Sequence, residues 1–287
     1  MNNNSTILQQ ILQFIPEYEL AKLVKKYGTD RYSKVFTTKN LLTCMIFAHA
    51  SGKDSLRDIE TSFNALSNYH YHLGLPSKGV KRSTISDANN RIDYRVFEEL
   101  FYVLLRRYQG GLFRRKLKIN NPLYAIDASF IDVIVDMFPW ARYRATKGAI
   151  KIHAVLDVKT LVPTLVNITE GKIHDLDGMP NLDKDSYADS IVTFDKGYWR
   201  AYMLYRLHAD GIYFVTRIKN NVTYIVTGQQ EIELGKGVLK DEEIIFKTEA
   251  LREDYPEKLR LITYYDKNHD ITYRFVTHWC PKKICTI

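Results

Sequence analysis

The first 118 residues have a hydrophobic pattern that predicts helices. Over residues 96–108, apolar side chains recur at i, i+1, i+4, i+5 and i+8, which is the stripe of an amphipathic helix, and the glycine pair at 110–111 is typical of its end. Thr84 and Asp87 resemble a capping box that opens another helix. Shorter stretches with helical spacing lie at residues 7–14, 20–27, 41–49 and 55–66. An all-helical domain is therefore predicted for residues 1–118.

After Pro122, short runs rich in Val, Ile, Thr and aromatic residues replace the helical spacing and predict β-strands. These runs lie at residues 123–135, 149–158, 161–169, 190–194 and 212–218. Between the fourth and fifth runs, Trp199, Met203 and Leu207 recur every four residues, as on a helix face. Strands interleaved with helices predict a mixed α/β sheet for residues 122–287.

A second β-rich stretch follows, with alternating polar and apolar residues. Its runs lie at residues 222–226, 243–246, 259–265 and 272–277. Alternation of this kind is typical of strands with one exposed face, and it predicts an antiparallel insertion or extension of the sheet.

Composition is that of an ordinary globular protein: 45% of residues are hydrophobic and 26% are charged, which argues against a disordered, collagen-like or coiled-coil chain. The longest apolar stretch, residues 41–50, is too short to cross a bilayer, and the first residues lack the pattern of a secretory signal. We therefore expect a cytoplasmic protein with no membrane partner. The three cysteines, Cys44, Cys280 and Cys285, are too few for a disulfide framework and are expected to be free thiols.

The positive charge is concentrated at one end of the chain. The net charge is +8, yet residues 1–121 carry 19 basic and 10 acidic side chains, whereas residues 122–287 carry 22 and 23. A local basic excess suits a polyanion such as DNA, because neutralised phosphates release their condensed counterions. A solvated basic surface that serves solubility is an equally open explanation.

Two aspartates are candidates for chemistry. Asp127 lies inside the apolar run LYAIDASFIDVIV, and an ionised carboxylate buried in a core strand needs a positive partner, of which a divalent cation is the strongest. Asp195 follows a predicted strand, and Gly197 is expected to turn the chain into the next helix. A paired aspartate near a strand end and a helix N-cap are the respective alternatives. If the two strands are neighbours, the pair predicts an Mg²⁺ site.

The sequence resembles a known family in the fragments AIDASFI, KIHAVLDV, ITEGKIHD and VTFDKGYW, in that order. They are similar to the DDE transposases of bacterial insertion sequences, specifically the insertion-sequence-four family. Upstream, KDSLRDIE and KRSTISDANNR resemble the helical N-terminal region of those proteins. The resemblance implies a ribonuclease H-like fold, in which the strands at about residues 220–277 form a β insertion.

The same resemblance implies a function and its site. Asp127 and Asp195 match the first two acids of the catalytic triad, and they would bind Mg²⁺ or Mn²⁺ for DNA strand cleavage and transfer. The implied partners are double-stranded DNA, namely the terminal inverted repeats and the target, and a second copy of the chain in a homodimer. His174 and Asp175 are implied to lie near the metal, although a surface turn is the simpler interpretation.

A third acid is also implied, a glutamate within the pattern Tyr-x2-Arg-x3-Glu-x6-Lys after the β insertion. The sequence does not contain this pattern, and no acidic residue follows Asp270. We therefore expect a C-terminally incomplete transposase, truncated or frameshifted, with impaired activity. The alternatives are a non-catalytic DNA-binding remnant that represses transposition and, less naturally, a metal-dependent nuclease or phosphatase of unrelated fold.

Several polar residues could contact DNA phosphate from helix ends, although they could equally be caps or solvated side chains. The basic run at 114–118 is expected to be part of a linker. Tyr198 and Trp199 could stack on a base, but packing in the core is favoured for Trp199. The predicted DNA contacts are Arg82, Ser83, Thr84, Arg91, Lys196 and Arg200.

Overall fold

The computed structural model describes residues 7–33, 35–65, 71–76, 79–108, 111, 117, 119–133, 142–144, 147–232 and 237–278. The chain divides into two compact units, Met1–Leu112 and Phe113–Ile287. The predicted linker at 114–118 lies outside the described residues except for Leu117, and so do Gly110 and the tail from residue 279 onward.

Helices form the described part of the first unit, as the periodicity predicts. They are α1 (Ile7–Leu12), α2 (Glu17–Tyr27), α3 (Thr38–Ala50), α4 (Leu56–Ala65), α5 (Arg82–Arg91) and α6 (Arg95–Tyr108). The amphipathic stripe at 96–108 is confirmed as α6, in which Val96 and Leu100 are buried against Leu20 and Leu23 of α2. A second cluster, which includes Phe63 of α4 and Ile85 of α5, forms the rest of this core.

The capping box predicted at Thr84 is wrong. Helix α5 begins at Arg82, so Thr84 lies within its first turn, and the N-cap residue Lys81 makes no side-chain cap. The backbone before α5 is instead held by Asn64, whose amide donates to the carbonyl of Val80 and accepts from its N–H, at 3.1 and 2.9 Å. A long-range clamp therefore fixes the start of α5.

A capping box does occur at the start of α3. The Thr37 hydroxyl accepts from the N–H of Asn40 at 3.3 Å, and the Asn40 side chain accepts from the N–H of Thr37 at 2.9 Å. Asparagine here takes the place of the usual Glu or Gln, so the pattern is easily missed in the sequence.

The second unit is built on a single mixed sheet. Its strands are β1 (Leu123–Val133), β2 (Arg142–Arg144), β3 (Lys147–Asp157), β4 (Val162–Glu170), β5 (Ile191–Phe194), β6 (Tyr213–Arg217), β7 (Tyr224–Gln229), β8 (Val238–Phe246), β9 (Leu259–Asp266) and β10 (Ile271–Thr277). The order is β2-β3-β1-β5-β6-β10-β9-β8-β7, and β4 also pairs with β3. Strands β1, β5 and β6 are parallel, whereas β3 and β4 continue from β1 as antiparallel neighbours.

The second β-rich stretch extends this sheet instead of forming a separate one. Strands β7 to β10 are an antiparallel meander, and β10 hydrogen-bonds to β6. The antiparallel prediction is thus confirmed. The structure adds two short helices that the pattern did not indicate, α7 (Lys184–Tyr187) and α9 (Glu249–Asp254).

The main core of this unit lies between the sheet and α8 (Ala201–Ala209). Val192 and Phe214 of the parallel strands are fully buried, as is Leu204 of the helix. Trp199 precedes α8 instead of lying on its face, which corrects the predicted stripe, but it is buried and meets Phe246 edge to face. Packing, and not an exposed stacking surface, is therefore the role that the structure gives to Trp199.

Histidines are part of this core. The rings of His208 and His278 stack with centroids 4.3 Å apart, and His278 also lies 4.7 Å from Phe214. Burial lowers the pKa of His278 to about 3, with the neighbouring His208 adding to the effect, and burial also lowers the pKa of His208 and His153. Burial therefore favours the neutral form of all three imidazoles.

The Thr37 box should stabilise the first unit. We expect Thr37→Ala to lower the free energy of unfolding by about 1 kcal/mol, because it leaves a helix N–H without its partner. The matched control is Thr84→Ala, which removes no cap and should change stability by less than about 0.5 kcal/mol. Urea unfolding of both variants measures the difference, and equal losses would contradict the cap assignment.

The buried histidines should make stability depend on pH. The unfolded chain takes up protons near a pKa of 6.5 and the folded chain does not, so stability is lost as the pH falls below that value. For His278 alone, the loss between pH 7.5 and 5 is about 2 kcal/mol.

The variant His278→Phe keeps a ring in the stack and takes up no proton, so its urea midpoint should fall less between pH 7.5 and 5 than that of the wild type. The exposed residue His174, changed to Asn, is the control and should leave the slope unchanged. A wild-type slope in His278→Phe would show that this ring does not contribute.

Candidate active site

The register of the parallel strands β1 and β5 brings the two aspartates together. Ile126 of β1 is aligned with Phe194, the last residue of β5, and Asp127 and Asp195 are the residues that follow them in the chain. Neighbouring strands lie about 4.8 Å apart, so the two aspartates follow paired positions on adjacent backbones. This register supports the proximity that the sequence leads us to expect across sixty-eight positions.

Burial of Asp127 was predicted and is wrong. Ile126 is 2% exposed and belongs to the core, whereas Asp127 is exposed, because consecutive strand residues point to opposite faces. Asp195 is exposed as well, with 51% of its side chain accessible. Desolvation therefore does not require a cation here, but solvent and a ligand can reach both carboxylates.

Each carboxylate is held by one short backbone contact. Asp127 Oδ1 accepts from the N–H of Ala128 at 2.8 Å, and Asp195 Oδ1 accepts from the N–H of Gly197 at 2.8 Å. Asp195 is thus also the N-cap of the 3-10 turn Lys196–Tyr198, the alternative left open by the sequence. Its Oδ2 accepts from Arg217 Nη2 at 3.1 Å, so a cation already faces this oxygen.

Gly197 allows a close approach of Asp175 and does not serve a left-handed turn. Its φ is not positive, but a Cβ at this position would lie 2.9 Å from Oδ2 of Asp175. The tight approach brings the segment after β4 against the turn that carries Asp195. Asp175 is consequently more than a surface residue, whereas His174 is exposed.

Asp175 is paired with a buried lysine. Lys151 Nζ donates to Asp175 Oδ1 at 2.9 Å and to the carbonyl of Ile173 at 2.6 Å, and it lies 4.7 Å from the ring centroid of Phe130. Sequence analysis did not single out Lys151. The available signal was its position in the strand KIHAVLD, where it alternates in phase with the buried residues His153 and Val155.

Nearby carboxylates affect the pKa of Tyr198. Burial raises the pKa of its hydroxyl, and the charges of Asp175, Asp127 and Asp195 raise it further, in that order. The hydroxyl lies 3.0 Å from His153 Nδ1, while His153 Nε2 lies 3.1 Å from the Thr169 hydroxyl. The charges of three carboxylates therefore act on one buried hydroxyl.

The residues present fit a hard divalent cation. Mg²⁺ uses one or two carboxylates and completes its shell with waters and phosphate oxygens, and two adjacent exposed aspartates supply that donor set. Within the described ranges, no group of three His, Cys, Asp or Glu side chains is close enough to hold a metal ion. The pair would therefore be the protein's contribution to the site.

The predicted DNA contacts differ in their surroundings. In the first unit, Arg82 and Ser83 are exposed at the start of α5, and Thr84 is half-buried. Arg91 donates its guanidinium hydrogen bonds to the carbonyls of Thr29 and Phe36, so it has a structural task.

In the second unit, Lys196 begins the turn after Asp195 and Arg200 follows that turn, and both are exposed. Cys44 is buried in α3, and burial raises its pKa to about 12, whereas Cys280 and Cys285 lie outside the described residues. In the part of the chain that is described, no helix is both long and apolar enough for a membrane span.

Comparisons with known proteins show which families the chain matches. Residues 120–279 match the family model described as transposase DDE domain, and residues 3–76 match a domain of unknown function, DUF4372. A protein described as a transposase for insertion sequence element IS5377, from Geobacillus stearothermophilus, is 23% identical over 225 residues, which cover 77% of this chain and 55% of the relative.

Two further proteins are similar. The transposase y4zB of Sinorhizobium fredii is 28% identical over 153 residues, covering 53% of this chain and 41% of the relative. The piggyBac transposase, solved by cryo-EM in a synaptic complex with hairpin DNA, is 13% identical over 93% of this chain and 58% of its own, with a TM-score of 0.37 that is too low to indicate a shared fold. The chain spans about half the length of the two sequence relatives.

The DDE domain match extends over more than half of the chain and includes both aspartates. The chain therefore belongs to the DDE transposase family, whose members cleave DNA and transfer its strands.

Proposed function

We propose that this protein is the transposase of an insertion sequence and that Asp127 and Asp195 are its catalytic acids. The observation that carries the proposal is the strand register, which pairs Ile126 with Phe194, the residues before the two aspartates, at the carboxyl end of β5. In open sheets with parallel strands, ligands bind at such strand ends. The fragments that contain these residues further favour the insertion-sequence-four family.

A ribonuclease H-like fold is part of the proposal. The strand order β4-β3-β1-β5-β6 supports it, with β3 antiparallel to its two neighbours and with β1, β5 and β6 parallel. The meander from β7 to β10 then corresponds to the β insertion that the resemblance implies, joined here to the edge strand β6.

Asp127 and Asp195 would hold Mg²⁺ or Mn²⁺. When bound, the metal would lower the pKa of an attacking water or DNA 3′-hydroxyl and stabilise the leaving oxygen. The protein's own residues position the reactants: the Ala128 and Gly197 N–H groups orient the two carboxylates, and Arg217 anchors Asp195 from its other oxygen. Positioning and charge are the main contributions an enzyme makes to phosphoryl transfer.

Residues 1–287 contribute two carboxylates to the proposed site, and two carboxylates hold a divalent ion less firmly than three. Binding of DNA is therefore the part of the proposed function that depends least on the metal.

DNA contact is proposed for exposed cations in each unit. Arg82, with Ser83 and Thr84, presents a charge and hydroxyls at the start of α5. Lys196 begins the turn that follows Asp195, and Arg200 comes just after it. Arg91 is the least suited of the predicted set, because its guanidinium is engaged by backbone carbonyls. The proposed partner is double-stranded DNA, bound by a homodimer in the bacterial cytoplasm.

Metal binding tests the aspartate pair directly. We expect Asp127→Asn and Asp195→Asn each to weaken Mn²⁺ binding to the full chain by more than about tenfold, because each removes one charge and a ligand oxygen. Asp132→Asn, an exposed aspartate on the same strand, is the matched control and should stay within about twofold. Unchanged affinity in the first two variants would exclude this pair as the metal site.

Cleavage of DNA that carries the terminal repeats tests whether two carboxylates suffice. With Mn²⁺, residues 1–287 should cleave weakly or not at all, because two carboxylates hold the ion less firmly than three. Robust cleavage that Asp127→Ala abolishes would show that the two aspartates are enough for activity.

DNA affinity should fall steeply with salt, on the order of tens to thousands of fold between low and moderate ionic strength if several phosphates are neutralised. Arg82→Ala and Arg200→Ala should each lower the slope of log K against log salt by about one. Lys258→Ala, which removes a cation paired with Glu243 in the meander, is the control and should leave the slope unchanged. Fluorescence anisotropy with labelled duplex measures the slope, and affinity independent of salt would contradict the DNA role.

A further inference from the structure

Lys151 is a buried cation close to the aspartate pair. The residue is 5% exposed, and its ammonium is satisfied by Asp175 at 2.9 Å, by the Ile173 carbonyl at 2.6 Å and by the face of Phe130. A buried ammonium is costly unless it is paired and hydrogen-bonded, so these contacts fix the position of Asp175 as well as that of the lysine.

The other oxygen of Asp175 faces the turn that carries Asp195. The absence of a side chain at Gly197 lets Oδ2 approach to the point where a Cβ would be 2.9 Å away. Gly197 is also the residue whose N–H binds Asp195 Oδ1. Asp175 therefore packs against the same short turn that orients one acid of the pair.

Asp175 also brings its charge close to the pair, because its Oδ2 lies against Gly197, two residues after Asp195. The charges of Asp175, Asp127 and Asp195 all add to the effect of burial in raising the pKa of the Tyr198 hydroxyl. Asp175 Oδ1 is engaged by Lys151, and among the described residues these carboxylates do not form a group of three that could hold a metal ion. A carboxylate need not be a ligand to increase the attraction for a divalent cation, because charge acts over distance.

Building on the proposed function, we propose that Asp175, held in place by Lys151, is a positioning residue of the Asp127–Asp195 site. It supports the turn that carries Asp195 and adds a negative charge that strengthens cation binding. Lys151 offsets part of that charge and so limits the affinity.

Binding of Mn²⁺ to the full chain without DNA, followed by the EPR signal of the free ion, tests this proposal. Asp175→Asn should weaken Mn²⁺ binding by about threefold to tenfold, because it removes one charge while preserving shape. Lys151→Met should tighten binding by a similar factor, because it leaves the Asp175 charge uncompensated. A purely structural role would weaken binding in both variants, and that result would overturn the proposal.

Two further variants are controls for the effect of Asp175→Asn on Mn²⁺ binding. Asp177→Asn removes an exposed carboxylate from the same segment and should stay within about twofold of the wild type. Asp175→Glu keeps the charge, so its Mn²⁺ affinity should stay closer to the wild type than that of Asp175→Asn. This comparison tests the contribution of the Asp175 charge even if Lys151→Met fails to fold. Melting temperatures show which variants are folded.

The Mn²⁺ measurements distinguish failure of the proposed function from failure of the role of Asp175. If Asp127→Asn and Asp195→Asn leave Mn²⁺ binding unchanged, or if the wild type binds no Mn²⁺, the proposed function fails together with this inference. If those variants lose binding while Asp175→Asn keeps wild-type affinity, the aspartate site stands and only the role of Asp175 is refuted.

Discussion

The parallel hydrogen-bonded register between β1 and β5 is the constraint on which the site depends. It aligns Ile126 with Phe194 in the core and thereby places Asp127 beside Asp195 on the exposed side. A slip of one residue would turn Asp127 toward the core and Ile126 toward solvent, so burial of the apolar partners also fixes the acids. The same apolar contacts that stabilise the sheet therefore position its chemistry.

Cationic side chains offset part of the negative charge in this region. Two exposed aspartates are brought together, and a third carboxylate approaches from the segment after β4. Arg217 faces Asp195 and Lys151 faces Asp175, so each of these acids has a fixed cation. Among the described residues, no ion pair joins Asp127 to a cationic side chain. Such partial compensation lets a folded protein keep converging acids at a site that is suited to a divalent ion.

The meander from β7 to β10 extends the sheet and pairs the backbone groups of β6. Strand β6 would otherwise be an edge with unpaired backbone groups, and β10 covers it. The core then continues across the joint, since Val276 and Leu261 of the meander belong to the same buried cluster as Phe214. The extension thereby enlarges the sheet without disturbing the register at the other side of β6.

The sequence by itself determined the element types, because a periodicity of 3.6 residues or of two residues is a local property of the chain. This periodicity predicts α6, the strands β1, β3, β4, β5 and β6, and the antiparallel meander. It also indicated the two aspartates, through their place in apolar runs. Tertiary structure alone decided which face Asp127 occupies, that Asn64 rather than a cap fixes the start of α5, and that Lys151 and Asp175 meet. Those outcomes depend on contacts between residues distant in the chain, and pairings of that kind leave no local pattern.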